Sequence, residues 1–541
     1  MNIVQIDAEF FKHDAQAGGF FPNTHTNLIL DIEKFITPTG QNYIVEGIRG
    51  TGKTHILKMI NNRCLEKYDK LKILPVYISL AGVSEWIERD MVSFRLHLYN
   101  NIVKSTIDTV KKNRSSIELS GNKDLVKSIK KIGQMFGFNK EENFDELLEE
   151  IRNLSETLTK NLTYSLKEQL IKELREETDI IEGTMQSSVV NVKGSVQAKN
   201  GLNTELKFLG SNLAHEDAAT FILEFFRELR NILGNSYSYI LIDECSEVSK
   251  EAQIEVFRLL KLVRGSGGED IEINPVYFCA TAYPTPITYY PSKTKGDSFN
   301  FEMGHDAVVE YLDLDELDDE YLDFFKEMTN KRLNEFKKED TASSYMEIFE
   351  NERVFVLSAY LANGNIRRYI EILKHSYDNL AKRVKIDDTS SKQAISQKDV
   401  QEAVYSIVND QILSFNRLNE QDMELLHDII SKLSKRNKKT ETENKSKINK
   451  IPANVYFTIS RLQANTYGNL IMQGALHDKG RTRRRKYYTE GGVRGLLYML
   501  DLSVAFNESA IDRQRAVEIF SKDLKANAKS GYLYCQDVEI K

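Results

Sequence analysis

Residues 47–54 read Gly-Ile-Arg-Gly-Thr-Gly-Lys-Thr, an unbroken match to G-x-x-x-x-G-K-[ST], and few folds can hold that octet. It needs a strand in front, a helix behind and a tight turn between them. The flanks supply both: Tyr43-Ile44-Val45-Glu46 is a short apolar run, and Thr54-His55-Ile56-Leu57-Lys58-Met59-Ile60 opens a helical pattern. Glycines let the main chain pass close to an anion, and successive N–H groups and the helix N-terminus point at it. In such a loop Lys53 bridges the β and γ phosphates of a nucleotide and Thr54 ligates Mg²⁺, so ATP and Mg²⁺ are the expected cofactors. Gly47, Ile48, Arg49, Gly50, Thr51, Gly52, Lys53, Thr54 and His55 are the expected nucleotide contacts.

A second run, Tyr239-Ile240-Leu241-Ile242-Asp243-Glu244, is apolar until it ends in two acids. Beside a phosphate loop, Asp243 would hold the metal through water and Glu244 would orient and deprotonate the attacking water, a hydrolytic design. The run PVYFCAT ends at Thr281, whose hydroxyl suits positioning of that water. Glu244 and Thr281 are therefore candidate catalytic groups, Thr54 and Asp243 candidate metal ligands, and ATP hydrolysis the expected activity. YIVE, ILPVYISL, YILIDE, PVYFCAT and AVVEYLDL alternate with helical segments, which predicts an α/β fold on a parallel five-stranded sheet.

From Ser79, where the second strand should end, to Tyr239, where the third should begin, the chain is far longer than one crossover helix requires. An insertion over residues 90–215 or so is expected. Within it Leu147, Ile151, Leu154, Leu158, Leu162, Leu166, Leu170 and Leu174 recur every three or four positions, which predicts a long amphipathic helix. Segment 188–208 alternates apolar and polar residues around Asn200-Gly201, a dipeptide that tolerates positive φ, and predicts a β-hairpin. Segment 432–450, KLSKRNKKTETENKSKINK, offers little to bury and predicts a linker or loop.

At 541 residues the chain should form roughly three or four folding units. Apolar content of 41% and charged content of 28% are globular usage, and only 8 prolines favour helix. A net charge of −7 means that any nucleic-acid contact must come from local clusters. Cys64, Cys245, Cys279 and Cys535 show no paired spacing, which argues against a zinc site or disulfide framework and fits a reducing cytoplasm. No apolar run is long enough to span a bilayer, and MNIVQIDAEFFKHD lacks the order of a signal peptide. A cytoplasmic protein without a membrane partner is expected.

Gly364-Asn365-Ile366-Arg367-Arg368 resembles the Gly-Asp-x-Arg-Arg lid motif of AAA+ ATPases of the initiator type, the origin-recognition and cell-division-control replication proteins. Ile395 to Ala403, ISQKDVQEA, resembles the segment opening the last lid helix of that group. Leaving out the insertion, the likeness covers about residues 30–410. It implies an AAA+ core with a helical lid, in which Arg367, a third catalytic candidate, reaches the γ-phosphate on lid closure; Arg368 is the alternative for that role, and both count among the implied nucleotide contacts. An arginine so placed couples nucleotide state to domain angle. The implied plan is an N-terminal arm at 1–30, a core at 31–340, a lid at 341–410 and a winged-helix-like domain at 411–541. The chain departs from the group in having no arginine between Arg264 and Arg332, where a finger to the neighbouring subunit is usual. Lys293, Lys295 and Arg264 are the basic alternatives, and slow or partner-activated hydrolysis is expected. The insertion is a second departure.

Initiators carry a winged-helix DNA-binding domain after the lid. Here NEQDMELLHDIISKLSK and TISRLQANTYGNLIMQGAL have helical patterns, and KGRTRRRKYYTEGGVR follows, with seven basic residues against one acid. A wing crossing DNA phosphates would look like this, with Arg481, Arg483, Arg484, Arg485 and Lys486 as its contacts. The leading expectation is an ATP-controlled, DNA-associated AAA+ switch that can assemble with its own copies. The rival is a defence or signalling ATPase of bacterial or mobile-element type, gating an effector protein docked on the insertion.

Overall fold

The computed structural model describes residues 6–15, 18–28, 30–120, 124–138, 143–163, 204–215, 218–265, 274–285, 287–312, 314–336, 344–386, 394–414, 416–444, 451–459, 466–481, 496–530 and 539–540. Five parallel strands form the first sheet: β1 (Tyr43–Glu46), β2 (Ile73–Ser79), β3 (Tyr237–Asp243), β4 (Val276–Ala282) and β5 (Val308–Tyr311), in the order β2-β3-β4-β1-β5. This is the α/β core expected from the sequence. β1 and β3 are buried at every position, which is why they read as continuous apolar runs and not as alternations. In register, Val45 faces Thr281 and Ile242 faces Ala280. The loop leaving β1 and the acids closing β3 thus emerge at the same sheet edge, on either side of β4. Ligands of open parallel sheets bind at that edge.

Helices Met91–Lys112, Phe144–Thr163, Thr204–Ala214 and Ala218–Leu233 form the insertion and pack on β2 and on one another. Leu147, Ile151, Leu154 and Leu158 are buried, as their spacing predicts; Leu162 to Leu174 lie outside the described side chains. The hairpin expectation is corrected at its second arm, because Thr204–Ala214 is helical and buries Leu206, Leu209 and Leu213. Three-and-four spacing of those leucines prevails over the shorter alternation. Residues 188–203, including Asn200-Gly201, lie outside the described residues.

Helices Glu352–Leu361, Ile366–Ile386 and Gln397–Ile407 occupy the region where the lid is expected. The last begins with a capping box, in which Ser396 and Asp399 satisfy each other's backbone amides. A second sheet follows, with β6 (Tyr456–Ile459), β7 (Leu476–Arg481), β8 (Leu496–Leu500) and β9 (Glu539–Ile540) in the order β7-β8-β6-β9. One apolar cluster runs from Leu314 through Phe355, Tyr369 and Val404 to Phe457, Leu500 and Phe520. Lid and C-terminal region therefore share a core.

Two expectations fail in the C-terminal region. Residues 432–444 are not a linker, because the helix Glu420–Asn444 continues through them. Its buried stripe passes from Leu426, Ile429 and Leu433 to Asn437 and Thr440, so polar residues sit where periodicity looks for apolar ones. Asn437 is satisfied in its buried position by donating to Asn454 O and Ala510 O at 2.9 Å each; residues 445–450 lie outside the described residues. TISRLQANTYGNLIMQGAL is not one helix either: Thr458 and Ile459 belong to β6, and among its described residues the α-helix runs over Gly468–Met472. Among the described residues no helix is long and apolar enough to cross a membrane.

Candidate functional site

The octet forms the predicted loop, and the helix Lys53–Glu66 starts at its lysine. Gly50 and Gly52 have φ of 91° and 97°, a left-handed backbone that any other residue enters only with strain. Lys53 Nζ folds back onto its own loop, donating to Gly47 O at 2.7 Å and Ile48 O at 2.9 Å, and lies 4.2 Å from the Tyr283 ring centre. Burial lowers its pKa to about 7; Asp243 and Glu247 oppose the shift, whereas Arg367 and Arg49 add to it. Arginines 49 and 367 thus converge with Lys53 on one place, the electrostatics of an anion site.

Asp243 is 1% exposed. Its Oδ1 accepts from Thr281 Oγ1 at 2.7 Å and from the Glu244 amide at 3.0 Å, while Oδ2 accepts from Tyr77 OH at 2.8 Å. Glu244 has φ 63°, an uncommon value for this residue type and of the kind found at functional sites. Its amide also donates to Thr281 Oγ1 at 2.8 Å, and its Oε2 accepts from Ser79 Oγ at 3.0 Å. The Thr281 hydroxyl therefore ties the two acids together, its one proton already given to Asp243.

Loop, acids and lid meet in one cleft of about 280 Å³, on the scale of a small-molecule site. Arg49 to Ile56, Asp243, Glu244, Thr281, Ile366 and Arg367 line it. Two buried nitrogens among the lining residues have no partner, Arg367 Nε and His25 Nε2. Buried polar atoms are normally satisfied, so a polar ligand fits here. His55 also lines the cleft; burial, then the stacked His25 ring at 5.4 Å, depress its pKa to about 3.

Arg368 is turned away. It points into the joint between lid and second sheet, ion-paired with Asp501 and donating to Ser503 Oγ at 3.4 Å and Gly474 O at 3.3 Å. His477 Nε2 lies 2.9 Å from the same Asp501 oxygen. Burial alone would raise the Asp501 pKa, yet Arg368 and His477 bring it down to about 2. Of the basic stretch, Arg481 belongs to β7, and Arg483, Arg484, Arg485 and Lys486 lie outside the described residues. Lys479 is committed to Glu316, at 2.8 Å.

Sequence reasoning missed the far wall of the cleft. The arm contributes Asp14, His25, Thr26 and Leu30, and the helix Tyr321–Glu335 contributes Phe324, Met328 and Arg332. Phe324, Met328 and Arg332 fall four apart on one face, a signal that was readable. The arm has no period, and several of its anchors are backbone carbonyls: Lys331 donates to His25 O at 2.7 Å, Arg332 to Phe10 O at 2.9 Å, and Lys58 to Ala15 O.

No protein-family model and no curated protein matches the chain. Among solved structures it is similar to the Aeropyrum pernix ORC1 protein in complex with DNA, at 12% identity and a TM-score of 0.32, covering 94% of this chain and 97% of that one. It is similar also to the ORC2 protein of the same organism in its ADPNP-ADP complexes, at 11% identity and a TM-score of 0.35, covering 90% and 88%. The ADP form of that ORC2 protein gives 12%, 0.32, 93% and 97%.

Proposed function

We propose that this chain is an ATP-binding and ATP-hydrolysing switch of AAA+ type that acts on DNA through its C-terminal region. One observation carries the reading: Lys53, Arg49 and Arg367 crowd their charges into a cleft that also holds the unpartnered Arg367 Nε. A triphosphate answers both, and the loop amides and helix N-terminus face it. Thr54 and Asp243 would hold Mg²⁺, which when bound neutralises developing charge on the phosphates. Glu244, freed from Ser79, takes the proton of the attacking water, and Thr281 keeps Glu244 and Asp243 in register. Arg367 closes on the γ-phosphate. Because Arg368 is locked into the joint, lid 341–410 and region 411–541 follow that closure as one body. The basic stretch 479–494 then meets DNA phosphates, through Arg481 and the Arg483 to Lys486 run.

Calorimetry on the full chain and on Lys53→Ala tests this. Affinity for ATP should fall by on the order of 100-fold or more in the variant, the loss of a buried charge-assisted contact. Titrating the same samples with duplex should show ATP-dependent, salt-sensitive binding, with log affinity falling by about 0.9 per decade of salt for each phosphate contacted. Equal ATP affinity in both proteins would remove the nucleotide reading; salt-independent or absent duplex binding removes the DNA reading.

A further inference from the structure

We infer that Asn365 is a positioning residue that pins the phosphate loop to the lid, so that the lid sets the loop's shape and the rate at which nucleotide leaves. The inference rests on the nucleotide reading above. Asn365 Nδ2 donates to Arg49 O at 2.7 Å, and one step on, the Arg367 amide donates to Gly50 O at 3.1 Å. Two successive loop carbonyls are thereby held by two lid residues. A peptide unit is planar and trans, so fixing the Arg49 carbonyl aims the Gly50 N–H the opposite way, and a preset N–H costs nothing to reorganise when an anion arrives.

The packing leaves no slack. Asn365 is 7% exposed, and a Cβ on Gly50 would come within 2.3 Å of its Oδ1. At Gly52 a Cβ would come within 3.3 Å of Ile366 Cδ1. The loop therefore needs glycine at position 50 because the Asn365 amide occupies the space beside it, as well as for its φ of 91°. The same side chain also serves the lid: Asn365 Oδ1 accepts from the Arg368 amide at 3.0 Å, capping the helix Ile366–Ile386. Only a carboxamide both caps with oxygen and donates from nitrogen. Aspartate and serine cap helices as well as asparagine does but bring no N–H₂, so the cap and the pin can be separated.

The test uses the full chain and mant-ADP followed by stopped-flow fluorescence. Asn365→Asp keeps the cap and sets a carboxylate against the Arg49 carbonyl. Release should quicken by about 10-fold or more, with association within about twofold. Asn365→Ser, which keeps the cap without adding repulsion, should release faster than wild type but more slowly than Asn365→Asp. If Asn365→Asp does not fold, the serine variant decides alone. Release within about twofold of wild type in the folded variants overturns the pin and leaves the nucleotide site standing. Wild-type protein that takes up no mant-ADP overturns both.

Discussion

The cleft and the joint behind it lie on either side of one turn of the lid helix, and adjacent arginines serve them. Arg367 faces the cleft with a buried nitrogen unpartnered. Arg368 faces the joint, with Asp501, Ser503 and the Gly474 carbonyl around its guanidinium and His477 behind Asp501. Both are costly places for charge. The difference lies in satisfaction: a joint closes its polar groups against each other, whereas a site keeps some in reserve for a ligand. Sequence alone cannot tell the two residues apart, since both belong to the same motif.

The largest effect should come from breaking the joint. Asp501→Ala leaves Arg368 buried without its partner and should cost about 3–5 kcal/mol, measured by urea unfolding. A loss below about 1 kcal/mol would mean that the pair is not structurally committed. Next comes a change confined to the cleft: Glu244→Gln should keep ATP and the fold but cut phosphate release at saturating ATP by about 100-fold. Undiminished turnover would take Glu244 out of the chemistry.

A smaller effect follows from pH. Without ligand, Lys53 has its pKa lowered to about 7 by burial, against the opposing pull of Asp243 and Glu247. Bound phosphates raise it again, so binding takes up a proton at any pH between about 7 and the bound value. ATP affinity should therefore fall as pH rises above 7, by at most about tenfold per unit. Calorimetry in buffers of different ionisation enthalpy reads the proton directly. Flat affinity from pH 7 to 9 would show that Lys53 stays charged in the empty cleft.

The phosphate loop, all five core strands and the acid pair were legible because their signals are local: glycines at fixed spacing, apolar runs, a terminal Asp243-Glu244. The helix Gln397–Ile407 was found through the likeness of ISQKDVQEA to a lid segment. Illegible parts depend on partners far along the chain. Asn437 looks solvated until Asn454 and Ala510 are placed beside it, and this hid a continuous helix inside an apparent linker. Arg368 looks like Arg367 until Asp501 arrives. Thr281 was found as a strand end, but its bond to Asp243 needed β3 and β4 side by side. The arm residues His25 and Thr26 carry no pattern, because part of the hold from the helix Tyr321–Glu335 is on the His25 carbonyl, which any residue would present.

The arm's grip has a mechanical consequence. Lys58 holds Ala15 from the loop helix, while Lys331 holds His25 from the helix on the opposite wall. The covalent stretch between those two anchor points is a tether of limited reach, at most about 3.6 Å per residue when pulled straight. While both grips hold, the two walls can part no farther than the segment between Ala15 and His25 reaches when straight. Lengthening that stretch is the way to widen the swing without touching either wall.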